Sequence, residues 1–165
     1  MTAQIAELLD RLAAAEPEVC RLRDDGRYVM QDYVFWFGGD QLGAQELKYD
    51  NAFLSPFTFG QAALDWLQGA LQRAIEARGW EYQCQSFTNS NGAGRVCCAN
   101  IIDFDFSYAD TPAAALLAAF VAAVEAATNL VSERKESVGV SQSAVIEIAI
   151  RDKAKSEGIN ATTNG

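Results

Sequence analysis

Histidine is absent from all 165 residues of this chain. It is the commonest general base and the commonest zinc ligand, so its absence excludes Ser–His and Cys–His nucleophile pairs. The glycines form neither the GxxxxGKS/T pattern of a phosphate-binding loop nor the GxGxxG pattern of a dinucleotide site. The sequence therefore predicts a protein that is not an enzyme, with no catalytic residues, no metal site and no cofactor.

Basic residues are also few: 13 lysines and arginines stand against 22 acids, which gives a net charge of −9. General affinity for nucleic acid or for an anionic membrane needs a basic surface, and this composition argues against both. The imbalance lies in residues 1–128, with 17 acids and 8 bases, whereas residues 129–165 hold five of each. We predict an α+β body over 1–128 and a C-terminal helical extension with a disordered end over 129–165.

No CxxC pair occurs among the four cysteines, which are Cys20, Cys84, Cys97 and Cys98. Cysteines in this arrangement are typical of reduced core residues in a cytosolic protein. The start of the chain shows no signal peptide, and the most apolar run, residues 113–124, is predicted to be too short to span a bilayer. The expected location is therefore the cytoplasm, without a membrane partner.

The segment from Trp80 to Tyr108 predicts a β-hairpin. Residues 80–85 alternate apolar and polar, residues 88–94 are turn formers, and residues 96–106 are rich in β-branched and aromatic side chains. Alternation in the second strand places Asp103 and Asp105 on one face and an apolar set on the other, namely Val96, Cys98, Ile102, Phe104 and Phe106. Because a two-stranded ribbon is marginally stable alone, helices are expected to cover its apolar face.

Helical spacing of apolar residues occurs over 2–15, 59–77 and 113–127. The second of these helices is predicted to start at an N-cap, Thr58, and to stop at Gly79. A strand is expected over 28–37, a further helical turn within 18–27, and a short strand over 45–49. The predicted fold class is α+β: an α-β-α sandwich with a small antiparallel sheet, plus the C-terminal helical extension.

The predicted body of the chain resembles a known protein family. A Ser55-Pro56-Phe57-Thr58 entry leads to an alanine-rich helix that ends in Arg78-Gly79-Trp80, and a strand pair follows. Thr111-Pro112-Ala113 then opens a second alanine-rich helix. Over residues 3–127 the chain is similar to the phage α-β-α sandwich domain. The resemblance implies a layered α-β-α fold and a phage or prophage origin, and it implies no catalytic residues.

The C-terminal segment 138–151 resembles the second helix of ribbon-helix-helix DNA-binding proteins, with Ser141 as N-cap and Gly158 as stop. Those proteins dimerise through this helix and read DNA with a short strand. The matching region here, 116–124, is predicted to be helical, which makes DNA an unfavourable partner. The alternative to dimerisation is a helix docked on its own body. The residues predicted to mediate oligomerisation are Val145, Ile146, Ile148, Ala149 and Ile150.

Three groups of side chains are candidates for ligand binding. The aromatic residues of 35–37, 53, 57 and 59 would suit a stacked base, with core packing as the alternative. Four arginines, at positions 21, 23, 27 and 95, would suit an anion. The carboxylates of Asp103 and Asp105 would suit a metal or acid–base chemistry, with a solvated strand face as the alternative. The predicted ligand-binding residues are Phe35, Trp36, Arg95, Asp103 and Asp105.

The function that follows is binding rather than catalysis. The sequence favours a non-enzymatic phage or prophage accessory protein that binds a partner or a small ligand, such as a nucleotide signal, as a homo-oligomer. The alternative is a DNA-binding transcriptional regulator that uses the ribbon-helix-helix-like segment. An enzyme built on Asp103 and Asp105 is a third hypothesis.

Overall fold

The computed structural model describes residues 2–49, 57–88, 95–101 and 104–138, without the side chains of Tyr49, Arg95 and residues 132–138. The chain divides into two compact units, Met1–Ala126 and Ala127–Gly165. The described residues form three α-helices and two antiparallel sheets. This arrangement confirms the predicted α+β class.

The three helices are α1 (Thr2–Ala15), α2 (Gln61–Glu76) and α3 (Pro112–Val138). Helices α1 and α2 lie close to where their apolar spacing predicts them, whereas α3 starts as predicted but continues to Val138, past its predicted end at 127. The hydroxyl of Thr111 caps α3, because its Oγ1 accepts a hydrogen bond of 3.2 Å from the backbone N–H of Ala114. In α1 the buried residues recur at helical spacing and are Ile5, Leu8, Leu9 and Leu12.

The start of α2 differs from the prediction. Thr58 is in a strand rather than at the N-cap, and the N-cap is Gly60, whose φ of 64° lets the chain turn directly from strand to helix. The end agrees with the prediction. Gly79 has a φ of 68°, and its N–H donates to the carbonyl of Glu76 at 2.9 Å, which closes the last turn.

The larger sheet has five strands that follow one another in chain order. The strand predicted over 28–37 is two strands, because the chain reverses after Met30 at Gln31, whose φ is 52°. The helical turn expected within 18–27 is instead largely a strand and a tight turn. The strand expected over 45–49 ends at Glu46 and continues as a short 3₁₀ helix. The strands are β1 (Cys20–Leu22), β2 (Tyr28–Met30), β3 (Tyr33–Gly38), β4 (Gln41–Glu46) and β5 (Phe57–Phe59).

The smaller sheet contains the predicted hairpin. Strands β6 (Tyr82–Thr88) and β7 (Arg95–Ile101) pair over seven positions, and β8 (Ser107–Ala109) pairs with β7. The second strand is therefore shorter than predicted. The N–H of Phe104 donates a hydrogen bond of 3.1 Å to the carbonyl of Ile101, the last residue of β7.

The sequence predicts the wrong face of β7 to be covered by the helices. The odd-numbered residues Cys97, Ala99 and Ile101 belong to the core cluster. On the opposite face Cys98 is buried outside that cluster, and Phe104 and Phe106, which follow the strand, are 37% and 40% exposed. Both faces of this strand carry apolar side chains, so a period of two cannot tell which face the helices cover. The side the helices occupy is a tertiary property.

One cluster of buried side chains joins all three helices and both sheets. Helices α1 and α2 pack on the five-stranded sheet, and the Trp80 ring that precedes β6 meets Phe120 of α3 edge-to-face at 6.1 Å. Arg11 of α1 forms a double hydrogen bond with Glu125 of α3, at 3.0 and 2.6 Å. The side-chain hydrogen bond raises the pKa of Arg11.

The apolar part of helix α3 is longer than the run predicted over residues 113–124. Its residues 112–131 are long and apolar enough to cross a membrane by length and composition, so the expectation of too short a run is wrong. Half of that window is nevertheless buried within the protein, and Leu116, Leu117 and Phe120 are fully buried. A core helix of a globular domain has these properties, and no membrane is indicated.

Candidate functional site

Neighbouring aromatic residues of β3 are separated by the sheet. Phe35 is fully buried among the core residues, and Trp36 projects from the opposite face and is half-buried. Adjacent residues of a strand point to opposite faces, which makes this separation unavoidable. Phe35 is therefore part of the core, as the core-packing alternative predicted, and only Trp36 of this pair is accessible to a ligand.

Trp36 belongs to a surface that we call the aromatic face, formed by Trp36, Phe57 and Phe59 around Gly43. The register of the sheet places Trp36 opposite Gly43, and Gly43 opposite Phe59. The Trp36 and Phe59 ring centroids are 5.8 Å apart with planes at 87°, and those of Phe57 and Phe59 are 5.7 Å apart, also at 87°. Phe57 is 59% exposed and Phe59 is 40% exposed. The result is a continuous aromatic surface open to solvent.

Gly43 provides the floor of the aromatic face. A Cβ atom at this position would lie 2.6 Å from Cε2 of Trp36 and 2.9 Å from Cε1 of Phe59. Both distances are far below van der Waals contact, so the two rings occupy the space that any side chain here would need. Glycine thus allows the rings to lie against the backbone of β4.

Arginine lies beside the rings. The guanidinium carbon of Arg27 is 5.5 Å from the ring centroid of Trp36, within cation–π range. Asp25 accepts a hydrogen bond of 3.2 Å from the backbone N–H of Arg27 and lies 3.3 Å from Nη2 of Arg23. The turn between β1 and β2 also borders a shallow cleft of about 390 Å³, which is lined by two arginines and two aspartates, namely Arg21, Arg23, Asp24 and Asp25, together with Leu22. Positive charge is therefore present next to the exposed aromatic rings.

Of the remaining predicted site residues, the structure describes the side chain of Asp105 only. Asp105 is exposed in the connection from β7 to β8, and Asp103 lies outside the described residues. Arg95 is the first residue of β7, and its side chain is not among those described. Phe53 also lies outside the described residues, as do the five residues predicted to mediate oligomerisation, at 145–150.

Sequence reasoning missed Gly43 and assigned Phe57 to a loop before a helix. The available signal was the Phe-Thr-Phe alternation at 57–59, which is typical of a strand with one apolar face. Within the described part of the chain, no group of three or more acidic or cysteine side chains is placed to hold a metal. The chemistry that the aromatic face offers is non-covalent: stacking, apolar contact and attraction to an anion.

Replacing Gly43 with alanine is expected to destabilise the protein by about 1–3 kcal/mol, because Trp36 and Phe59 must leave their positions over β4. Gly69→Ala is the matched control. Its Cβ would meet only a flexible Arg73 Nη1 at 3.8 Å within helix α2, so it is expected to stabilise by about 0.5–1 kcal/mol. Urea unfolding followed by circular dichroism measures both changes. Equal effects in the two variants would contradict the close contact at Gly43.

No protein-family model, curated protein or solved structure matches this chain.

Proposed function

We propose that this protein is a non-enzymatic binding protein that holds a small anion with a planar ring, a nucleotide being the class of ligand that fits, on its aromatic face. The observation that carries the proposal is the joint exposure of Trp36, Phe57 and Phe59 on one sheet face with Arg27 over the indole ring. Exposed aromatic side chains on a sheet stack against bases, at about 1–3 kcal/mol per base. Arginine adds affinity for the attached phosphate.

Charge favours a small ligand over a nucleic acid polymer. The chain carries a net charge of −9, which repels an extended phosphate backbone. A single nucleotide needs only a local positive group, and Arg21, Arg23 and Arg27 lie together around the turn between β1 and β2. The carboxylate of Asp25 lies 3.3 Å from Arg23 and 3.7 Å from Arg27 and keeps both side chains at the turn, and a bound phosphate competes with this carboxylate for them.

The biological setting of this binding activity is inferred from the two resemblances. The similarity to the phage α-β-α sandwich domain supports an accessory role in a phage or prophage, in the cytoplasm of a bacterial host. The segment at 145–150 supports a homo-oligomer. The DNA-binding alternative lacks its reading element in the corresponding region, because residues 116–124 lie within helix α3.

Isothermal titration calorimetry with a panel of nucleoside monophosphates and cyclic nucleotides tests the proposal. Trp36→Ala is expected to weaken binding by about 5–150-fold, which corresponds to about 1–3 kcal/mol of stacking. Tyr108→Ala is the matched control, since Tyr108 is an aromatic residue that is 60% exposed on the other sheet. The control is expected to bind like the unmodified protein.

A second measurement covers a nucleotide outside the panel. Mass spectrometry of the small molecules released by heating the purified protein is expected to show a base-containing ligand. The proposal is contradicted if no nucleotide binds and none is released. It is equally contradicted if Trp36→Ala and Tyr108→Ala reduce affinity to the same extent.

A further inference from the structure

Strand β6 is an edge of the three-stranded sheet in the part of the chain that the structure describes. The strand order β6-β7-β8 puts β6 at one side, and its seven residues pair with β7. Among the described residues β6 pairs with no other strand. In an antiparallel edge strand, alternate backbone N–H and C=O groups point away from the sheet and are free to bond another strand.

The other three sheet edges are much shorter. Strands β1, β5 and β8 have three residues each, against seven in β6. A very short edge offers too few backbone groups to hold another strand, and natural proteins use this shortness to prevent edge pairing. Among the described strands, β6 is therefore the edge that is long enough to serve as an interface.

Strand β6 also lacks the chemical features that protect an edge. Its sequence, Tyr-Gln-Cys-Gln-Ser-Phe-Thr, contains no lysine or other charged residue and no proline. Its register with β7 runs without a bulge from Tyr82 to Thr88. The net charge of −9 makes two copies of the chain repel each other in general. At the uncharged strand β6, two copies can approach without like charges facing each other.

Apolar surface lies beside this edge. Phe87 is 46% exposed and pairs with Val96 of β7, on the sheet face that points away from the core. A strand added next to β6 would cover part of the Phe87 ring. Such burial adds a hydrophobic contribution to the backbone hydrogen bonds of the new pair.

We propose that the β6 strands of two copies of this chain pair antiparallel across a twofold axis. The two sheets then form one six-stranded sheet with β6 of each copy at the centre. Antiparallel pairing of a strand with itself is symmetric, so each copy uses the same surface. In the pair, β6 is no longer an edge, and the two edges of the six-stranded sheet are the three-residue strands β8. Because these edges are too short to bind another strand, the sheet does not extend beyond two copies.

Two lysines on the exposed face of β6 test the proposal in the full-length chain. In Gln83→Lys with Gln85→Lys, aligned pairing brings the lysines introduced at position 85 of the two copies face to face. A register shifted by two residues brings position 83 opposite position 85, so both arrangements place like charges in contact. The control is Gln4→Lys with Ala14→Lys, which adds the same charge at exposed positions of α1.

Light scattering is expected to show that the β6 variant has half the mass of the unmodified protein, whose single chain weighs 17.9 kDa, while the control keeps the full mass. Hydrogen exchange of the unmodified protein is expected to slow in β6 as concentration rises, and this second readout does not depend on a variant that folds. An unmodified protein with the mass of one chain overturns the proposal. Equal masses for the β6 variant and the unmodified protein, or β6 exchange independent of concentration, also overturn it.

Discussion

Phe120→Ala is expected to lower the free energy of unfolding by about 3–5 kcal/mol, because it leaves a cavity at the centre of the core. Phe120 is fully buried. Its ring meets the Trp80 ring edge-to-face at 6.1 Å, and the guanidinium carbon of Arg78 lies 5.3 Å from its centroid. Removing the ring therefore removes the contact between α3 and the segment that leads into the three-stranded sheet.

Urea unfolding monitored by far-ultraviolet circular dichroism measures this loss. Phe120→Leu is the graded control, since it keeps much of the buried volume and is expected to cost less than half as much. Tyr108→Ala serves as the exposed control, and a change of about 0.5 kcal/mol or less is expected there. A loss below about 1 kcal/mol for Phe120→Ala would mean that α3 does not pack on this core.

Raising the pH from 8 to 11 is expected to lower the free energy of unfolding by about 4 kcal/mol through two buried groups. Burial is the main cause that raises the pKa of Cys20 from 9.0 to about 12, with the nearby charge of Asp10 second. Burial also raises the pKa of Tyr28 from 10.0 to about 12, assisted by the 2.8 Å hydrogen bond that its hydroxyl donates to Asp10. Both groups are therefore more acidic in the unfolded chain.

The sign of the pH effect follows from that difference. Below about pH 8 both groups are neutral in either state, and their contribution to stability is fully present. Between about pH 9 and 12 the unfolded chain loses these protons first, so unfolding becomes more favourable as pH rises.

Urea titrations at several pH values compare the unmodified protein with a Cys20→Ala, Tyr28→Phe variant. The double variant is expected to lose stability less steeply over this range, although it starts from a lower value because it lacks the Tyr28 hydrogen bond. Tyr82 and Cys84, whose pKa values burial also raises, leave a residual slope of the same sign. A slope as steep in the double variant as in the unmodified protein would contradict the assignment to Cys20 and Tyr28.

Local patterns predict several elements of this fold correctly. The helix periods in α1 and α2, the Gly79 stop and the β6–β7 hairpin all depend on residues that are close in sequence. Spacing, turn chemistry and capping act over a few residues, so they can be read directly from the chain. The absence of histidine and the net charge of −9 likewise come from composition alone.

Tertiary structure decides the properties that depend on distant residues. From the sequence, Phe35 and Trp36 are predicted to bind one ligand together, but a strand separates them onto opposite faces, and the position of α2 decides that Phe35 is the buried one. Strand β7 carries apolar side chains on both faces, so its sequence pattern does not show which face is in the core, and the position of the helices decides it. The aromatic face needs residues 36, 43 and 59 in register on three strands. Such a register is fixed by long-range pairing and by burial of the opposite face, which no local pattern contains.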